Sequence, residues 1–287
     1  MHLSGSDPAA SPPLRRRGLA LRKALGRLLG GSLGLTSLLL APQAQAGEVS
    51  QRVLQRHSVR VCIWPGYVGI SHRSPRTQKL SGIDIDLSAA FAKDLDAKLE
   101  YVETNYARFI DDLLKDRCDI AMFGIGVTPQ RQARLSFSAP YLKTDIYALT
   151  TRYSRVIKSW DDIDKPGVKV AAPAASFIAP VMAAWLKQAQ LVQISPPQTN
   201  EMELEAGRVD VFMTDFPYSQ RLLETNDWLR RLSPPSPISP MPYAYAVKPG
   251  DAGWLARVDR FVADIKKDGR LAAAAQKYRL SEIMVRN

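Results

Sequence analysis

Residues 119–131 read Asp119-Ile120-Ala121-Met122-Phe123-Gly124-Ile125-Gly126-Val127-Thr128-Pro129-Gln130-Arg131. Asp119 to Phe123 is a short apolar run of the kind that forms a buried strand. Gly124 and Gly126 then leave the backbone bare. Thr128 is a good N-cap and Pro129 is favoured at the first helical position, which makes Arg131 the third. Free backbone N–H groups, the positive end of a helix dipole and a guanidinium thus converge at one strand end. That arrangement can bind a carboxylate. Taken by themselves, the same residues equally describe a well-capped helix with a surface arginine.

Upstream, Val59-Arg60-Val61-Cys62-Ile63 is a β-branched run that predicts a buried strand. Ile83 to Asp96 predicts a helix with Asp84 and Asp86 near its positive end. Leu99 to Val102 predicts a strand and Tyr106 to Leu114 a helix. With the strand at 119–123 this makes a β-α-β-α-β order, which implies an α/β lobe with a largely parallel sheet. Downstream the rhythm repeats. Val168 to Ala172 predicts a strand, and Ser176 to Gln188 a helix with Pro180 in its first turn. Leu191 to Ile194 predicts a strand, followed by the loop Ser195-Pro196-Pro197. Val209 to Met213 predicts another strand, after which Thr214-Asp215-Phe216-Pro217 opens a helix. Five prolines between Ser233 and Pro242 force extended or turning chain. Tyr243 to Val247 returns as a strand. Trp254, Val258, Phe261 and Ile265 recur at helical spacing before a capping Gly269, and Arg270 to Tyr278 is a last helix.

Composition narrows the function classes. The 287 residues are 46% hydrophobic and 23% charged, which excludes wholesale disorder and favours two domains. The formal charge of +11 invites a nucleic-acid reading. Much of it sits in the first 46 residues, however. Arg15, Arg16, Arg17, Arg22, Lys23 and Arg27 form a basic region, Leu28 to Ala41 is apolar but too short to span a membrane, and Ala44-Gln45-Ala46 supplies an A-x-A cleavage pattern. Residues 1–46 therefore read as a secretory signal, with Sec the default route and the mature chain starting at Gly47. The leader holds six Lys/Arg against the single acid Asp7, so 241 residues keep only +6. That excess is mixed with acids along the chain, as a solvated surface would be, and no nucleic-acid partner is expected. Two cysteines exclude a disulfide scaffold and a four-cysteine zinc site. Cys62 and Cys118 could pair in an oxidising compartment if their Cα atoms came within about 7 Å. Buried free thiols are the expected state. A catalytic cysteine is disfavoured, because only His57 and His72 remain as partners.

Several short motifs at this spacing carry a family resemblance. They are Gly82-Ile83-Asp84-Ile85-Asp86-Leu87, Cys118-Asp119-Ile120-Ala121, Val127-Thr128-Pro129-Gln130-Arg131, Phe137-Ser138-Ala139-Pro140-Tyr141, Gly207-Arg208-Val209-Asp210 and Thr214-Asp215. From about Val59 to Leu280 the chain resembles the family 3 bacterial solute-binding proteins, periplasmic receptors of polar amino-acid ABC transporters. The resemblance implies an α/β fold of two Rossmann-like lobes joined by two crossover strands, closing on a ligand like a Venus flytrap. Thr144 to Thr151 and Tyr243 to Val247 match the crossovers. Lobe 1 would span 47–146 and 243–287, and lobe 2 would span 147–242.

The resemblance also implies roles. Arg131 looks like the clamp for a ligand carboxylate, with Gly124, Gly126 and Thr128 beside it. Gly124 and Gly126 lack hydroxyls, so only their main chain can contribute. Tyr106 matches an aromatic that stacks on the ligand, or is a half-buried helix-start tyrosine. Asp215 matches the acid that takes a ligand ammonium, and can also cap its helix. Trp64 and Tyr67 stand where cleft-lining groups occur, or are core aromatics. Where the family carries Gly-Thr/Ser-Thr, this chain has Pro173-Ala174-Ala175-Ser176-Phe177, so Ser176 alone keeps a hydroxyl.

The expected function is therefore capture of a small carboxylate, an amino acid first of all, by a monomeric periplasmic protein that delivers it to an ABC permease. No cofactor or metal is implied. The rival function is enzymatic. Periplasmic cyclohexadienyl dehydratases look similar at Asp116-Arg117-Cys118-Asp119-Ile120-Ala121-Met122 and Met213-Thr214-Asp215. The resemblance to them implies a general-acid glutamate near position 178. Here that position is Ile178, and no acid occurs between Lys169 and Gln188. Losing such a proton donor removes roughly 10²–10⁴-fold in rate, so a binding role is favoured. A sensor's receptor subunit is the third class.

Overall fold

The computed structural model describes residues 47–286; the secretory leader read in residues 1–46 lies outside the described residues. The elements run α1 (Glu48–Arg56), β1 (Ser58–Ile63), β2 (Gly66–Tyr67), β3 (Ser71–Arg73), β4 (Leu80–Ser81), α2 (Ile83–Asp94), β5 (Lys98–Glu103), α3 (Phe109–Leu114), β6 (Ile120–Gly126), α4 (Pro129–Gln132), β7 (Ser136–Phe137), β8 (Leu142–Thr144) and β9 (Ile146–Thr151). They continue β10 (Lys169–Pro173), α5 (Ile178–Trp185), β11 (Gln190–Ile194), α6 (Asn200–Glu205), β12 (Val211–Asp215), α7 (Phe216–Thr225), β13 (Leu229–Leu232), β14 (Met241–Val247), α8 (Ala252–Lys267) and α9 (Arg270–Lys277).

Two α/β sheets organise the molecule. In the first, β5, β1 and β6 are parallel, and β14 adds antiparallel to β6 and carries β7 and β8. In the second, β11, β10 and β12 are parallel, with β9 and β13 added antiparallel. A small sheet of β2, β3 and β4 inserts after β1. The chain leaves the first sheet at Asp145, between β8 and β9, and returns to it at β14. Asp145 ties the two passages together. Its Oδ1 accepts the N–H groups of Ile146 at 2.7 Å and Ser239 at 2.9 Å, and its Oδ2 accepts that of Ile238 at 3.1 Å. No helix among the described residues is long and apolar enough to cross a membrane.

Local chemistry shortens two of the expected helices. Residues 106–108 stay outside α3 because the Asn105 side chain accepts the N–H groups of Ala107 and Arg108, an Asx turn that competes with the helix. At α5 the Ser176 hydroxyl accepts the Ile178 N–H, which starts the helix two residues late. Its far end stops where the Asp164 carboxylate collects the N–H groups of Lys187, Gln188 and Ala189. Strand β12 runs two residues further than its apolar pattern suggests, so that Asp215 is both its last residue and the N-cap of α7.

The cysteines differ from expectation. Cys62 and Cys118 form a disulfide, with Cα atoms 5.6 Å apart. The reason is sheet order: β1 lies between β5 and β6, so the start of β6 passes beside Cys62. Strand adjacency is a tertiary fact that spacing along the chain does not contain. Bridging residues 56 apart stabilises the fold by about 4 kcal/mol in the chain-entropy picture.

Asp84, in the first turn of α2, is fully buried and holds the first lobe's interior in register. Its Oδ2 accepts the Gly124 N–H at 2.8 Å and the Tyr141 hydroxyl at 2.6 Å, and its Oδ1 accepts the Tyr245 hydroxyl at 3.3 Å. The Tyr141 and Tyr245 rings stack with centroids 4.5 Å apart. Burial pushes the Asp84 carboxyl up from 3.8 to about 7, against the three hydrogen bonds that favour the ionised form. Between those values the folded state keeps a proton that the unfolded chain has lost. Stability contributed this way is complete below pH 4 and is lost as pH rises through about 7. Asp84→Asn cannot titrate, so urea unfolding should show wild type losing stability relative to the variant across that window. Parallel pH profiles for the two proteins would show that Asp84 does not carry the dependence.

Candidate functional site

A cavity of about 370 Å³ opens between the two sheets. The first sheet's side contributes Trp64, Tyr67, Tyr106, Gly126 and Arg131. The second contributes the turn 173–178, Ile194, the start of α6, Thr214, Asp215 and Tyr218, and Tyr243 of β14 completes the wall.

Arg131 reaches the cavity because α4 begins where its cap dictates. Thr128 is the N-cap, its Oγ1 accepting the Arg131 N–H at 3.3 Å, and Pro129 follows at the first helical position. The guanidinium then folds back, one nitrogen donating to the Gly126 carbonyl at 2.8 Å. It stands 5.2 Å from the Tyr106 ring centroid and 5.5 Å from that of Phe109. Arg131 is only 8% exposed, yet has no carboxylate partner among the described residues. Elsewhere buried charge is compensated: Arg60 and Arg52 both pair with Asp119. Burial lowers the Arg131 pKa, but a guanidinium keeps its charge at neutral pH. A buried cation without a counter-ion is unfavourable, and an anion placed in the cavity removes that cost.

Asp215 faces the cavity from the opposite side. Its Oδ1 accepts the Tyr218 N–H at 2.9 Å as the cap of α7. Its Oδ2 accepts the Tyr243 hydroxyl at 2.7 Å and the Tyr67 hydroxyl as well, the two hydroxyls lying 3.1 Å apart. Burial raises the Asp215 pKa, with hydrogen bonds from Tyr67, Tyr243 and Tyr218 acting against it. Burial first, and the Asp215 charge second, push both tyrosine hydroxyls well above their ordinary value. Capping and ligand contact are compatible roles here, because Asp215 caps α7 and also lines the cavity.

Trp64, Tyr67 and Tyr106 form one aromatic wall, with the Trp64 ring 5.5 Å from Tyr67 and 5.2 Å from Tyr106. Tyr106 is fixed by its hydroxyl, which donates to the Gly124 carbonyl at 3.1 Å. Ser176 lines the cavity, but its hydroxyl donates to the Pro173 carbonyl at 2.7 Å and so is engaged in its own turn. Gly126 also borders the space.

Gly124 and Thr128 do not line the cavity. The Gly124 N–H is taken by Asp84, and its φ of +64° places it where a Cβ would lie 2.8 Å from the Tyr67 ring. Its task is to let Tyr67 pack. Thr128 acts through the cap of Arg131. Among the cavity residues that escaped the sequence reading are Asn200, Glu201, Tyr218 and Tyr243. For Tyr243 a period-two signal existed, since Tyr243 and Tyr245 share a face of β14. Glu201 lies in a stretch of mixed charge that nothing local distinguishes.

The sequence profile of the bacterial extracellular solute-binding proteins, family 3, matches residues 59–281. The cyclohexadienyl dehydratase of Pseudomonas aeruginosa is 29% identical over 249 residues, covering 85% of this chain and 91% of that protein. The L-cystine-binding protein TcyJ of Escherichia coli is 26% identical over 206 residues, covering 70% and 74%. Among solved structures, the ancestral amino acid-binding protein AncCDT-1, described as a precursor of cyclohexadienyl dehydratase, superposes with a TM-score of 0.72 at 27% identity, covering 79% of this chain and 98% of that one.

Tyr67→Phe should lower stability by roughly 1–3 kcal/mol in urea unfolding, because it leaves a buried carboxylate oxygen short of a donor. A change below about 0.5 kcal/mol would mean that the hydroxyl contributes nothing to the closed arrangement.

Proposed function

Because the chain belongs to the family 3 bacterial extracellular solute-binding proteins, we propose that it captures a small carboxylate-bearing ligand, an amino acid, between its two lobes and passes it to an ABC importer. One observation carries this reading above the others: Arg131 is buried in the cavity wall without an acidic partner among the described residues. A ligand carboxylate supplies that partner, in the bidentate geometry a guanidinium favours. The ligand ammonium goes to Asp215, on the opposite side of the cavity. The aromatic wall of Trp64, Tyr67 and Tyr106 covers the remainder.

A zwitterion held this way bridges the lobes, which we place at 47–146 with 243–287 and at 147–242. The closed state then gains contacts that an open one lacks, so ligand shifts the equilibrium toward closure. Micromolar affinity needs about 8 kcal/mol, within reach of two desolvated charge contacts and one aromatic face. The Cys62–Cys118 disulfide supports residence in an oxidising compartment such as the periplasm.

A second reading has its own support. The Pseudomonas dehydratase matches nearly end to end, and the cavity holds a buried carboxyl, Asp215, whose proton is bound more tightly than usual. Ile178, where a proton-donating glutamate was expected, is buried and apolar in the first turn of α5. Binding without turnover therefore remains the favoured function.

The test is a thermal-shift screen of amino acids and related carboxylates, followed by titration of any hit. Arg131→Ala should weaken the hit by at least about tenfold. Undiminished affinity in that variant would sink the proposed site. Prephenate and arogenate belong in the same screen: conversion of either would establish the enzymatic reading instead.

A further inference from the structure

The cavity contains a second acid that the carboxylate and ammonium contacts leave unused. Glu201 is the second residue of α6, which starts at the Thr199 cap. It borders the same cavity as Arg131 and Asp215. Its Oε1 is buried and has no hydrogen-bond partner among the described residues. The adjoining Asn200, 7% exposed, has a buried Oδ1 in the same condition and also borders the cavity. No basic side chain among the described residues pairs with Glu201. Glu201 as a whole is half-buried, and fully buried acids such as Asp84, Asp119 and Asp215 differ from it in that each collects two or more donors. An acceptor out of reach of water and without a donor costs about 1–3 kcal/mol, more when charged. Two such acceptors side by side call for donors, and both residues border a space large enough to admit them.

Tyr218 sets the spacing. Its backbone N–H caps Asp215, whereas its hydroxyl end stands beside Glu201; burial first, then the Glu201 charge and a hydrogen bond to that carboxylate, hold the phenolic proton more tightly. The two acids are therefore separated by about the length of a tyrosine side chain. A ligand whose ammonium meets Asp215 presents Glu201 with whatever lies several bonds further along its own side chain. The same wall holds the apolar Ala174, Phe177, Ile178 and Ile194, which suit a methylene stem.

We propose that Glu201 is a specificity-determining residue that receives a cationic group at the far end of the ligand, so that the preferred ligands are amino acids with a side-chain ammonium or guanidinium. This rests on the carboxylate reading of Arg131 and adds the chemistry of the ligand's other end.

Calorimetric titration of the purified protein with L-lysine, L-arginine and L-norleucine separates the two claims. Norleucine keeps the α-groups and the apolar stem of lysine and lacks only the distal charge. Wild type should bind lysine or arginine at least about tenfold more tightly than norleucine. Glu201→Gln should collapse that ratio while leaving norleucine affinity within about twofold. Equal binding of norleucine and the cationic pair by wild type would overturn the role of Glu201 and leave the Arg131 reading standing. Failure of all three to bind would overturn both. Should Glu201→Gln melt early, the wild-type ratio alone decides the matter.

Discussion

The Asp215 carboxylate receives hydrogen bonds from three directions: a backbone N–H of its own helix, the Tyr67 hydroxyl from beyond the end of β1, and the Tyr243 hydroxyl from the returning strand β14. These contacts join the second sheet to the first across the cavity. Each depends on placement upstream. Tyr67 packs against Gly124 because no Cβ is there, and Gly124 is held by its N–H to Asp84. Asp84 in turn is fixed by Tyr141 and Tyr245. Two hydrogen-bonded groups, one around Asp84 in the interior of the first lobe and one around Asp215 at the cavity, are thus joined where Tyr67 packs on Gly124. Such networks specify one arrangement because any displaced member leaves a neighbour unpaired in low dielectric.

Asp145 complements that network where the chain changes sheets. By accepting N–H groups from both passages, it keeps the two inter-sheet segments side by side. Hydrogen bonds from Tyr67 and Tyr243 to Asp215 span the cavity between the two sheets. Paired connecting segments combined with such contacts across a cavity are physical requirements for a hinge that ligand can bias.

Much of the first-order architecture could be read from short patterns. The β-α-β order was visible because parallel strands covered on both faces read as continuous apolar runs, such as Val59 to Ile63 and Ile120 to Phe123. The cap Thr128-Pro129 located Arg131 at the third position of α4, since capping is decided by neighbours in sequence. What escaped was set by long-range contact. The disulfide required knowing that β1 and β6 are adjacent. Gly124 looked like a ligand contact, but its N–H is claimed by Asp84, forty residues away. Tyr243 shows only a period-two pattern and Glu201 no local signal, because each acquires its environment only when the two sheets face one another. The stretch 173–177 lines the cavity with Ala174, Ala175 and Phe177, and its one hydroxyl, that of Ser176, is engaged with the Pro173 carbonyl.

The distribution of charge around the cavity has an energetic consequence. Arg131 is buried without a counter-ion, while Glu201 and Asn200 present acceptors without donors on the opposite wall. Under the proposed function, each of these groups disfavours an empty closed form, and the tyrosine contacts to Asp215 favour it. A ligand with an anionic end and donor groups removes the first set of costs and keeps the second set of gains, so its binding energy goes selectively to the closed state. A rearrangement of the same groups into internal salt bridges would make a more stable protein and abolish this selectivity, because the site would no longer need its occupant. Under the proposed function, local instability at the cavity lets closure respond to ligand, and the hydrogen-bonded groups around Asp84 and Asp215 supply the frame against which that response is made.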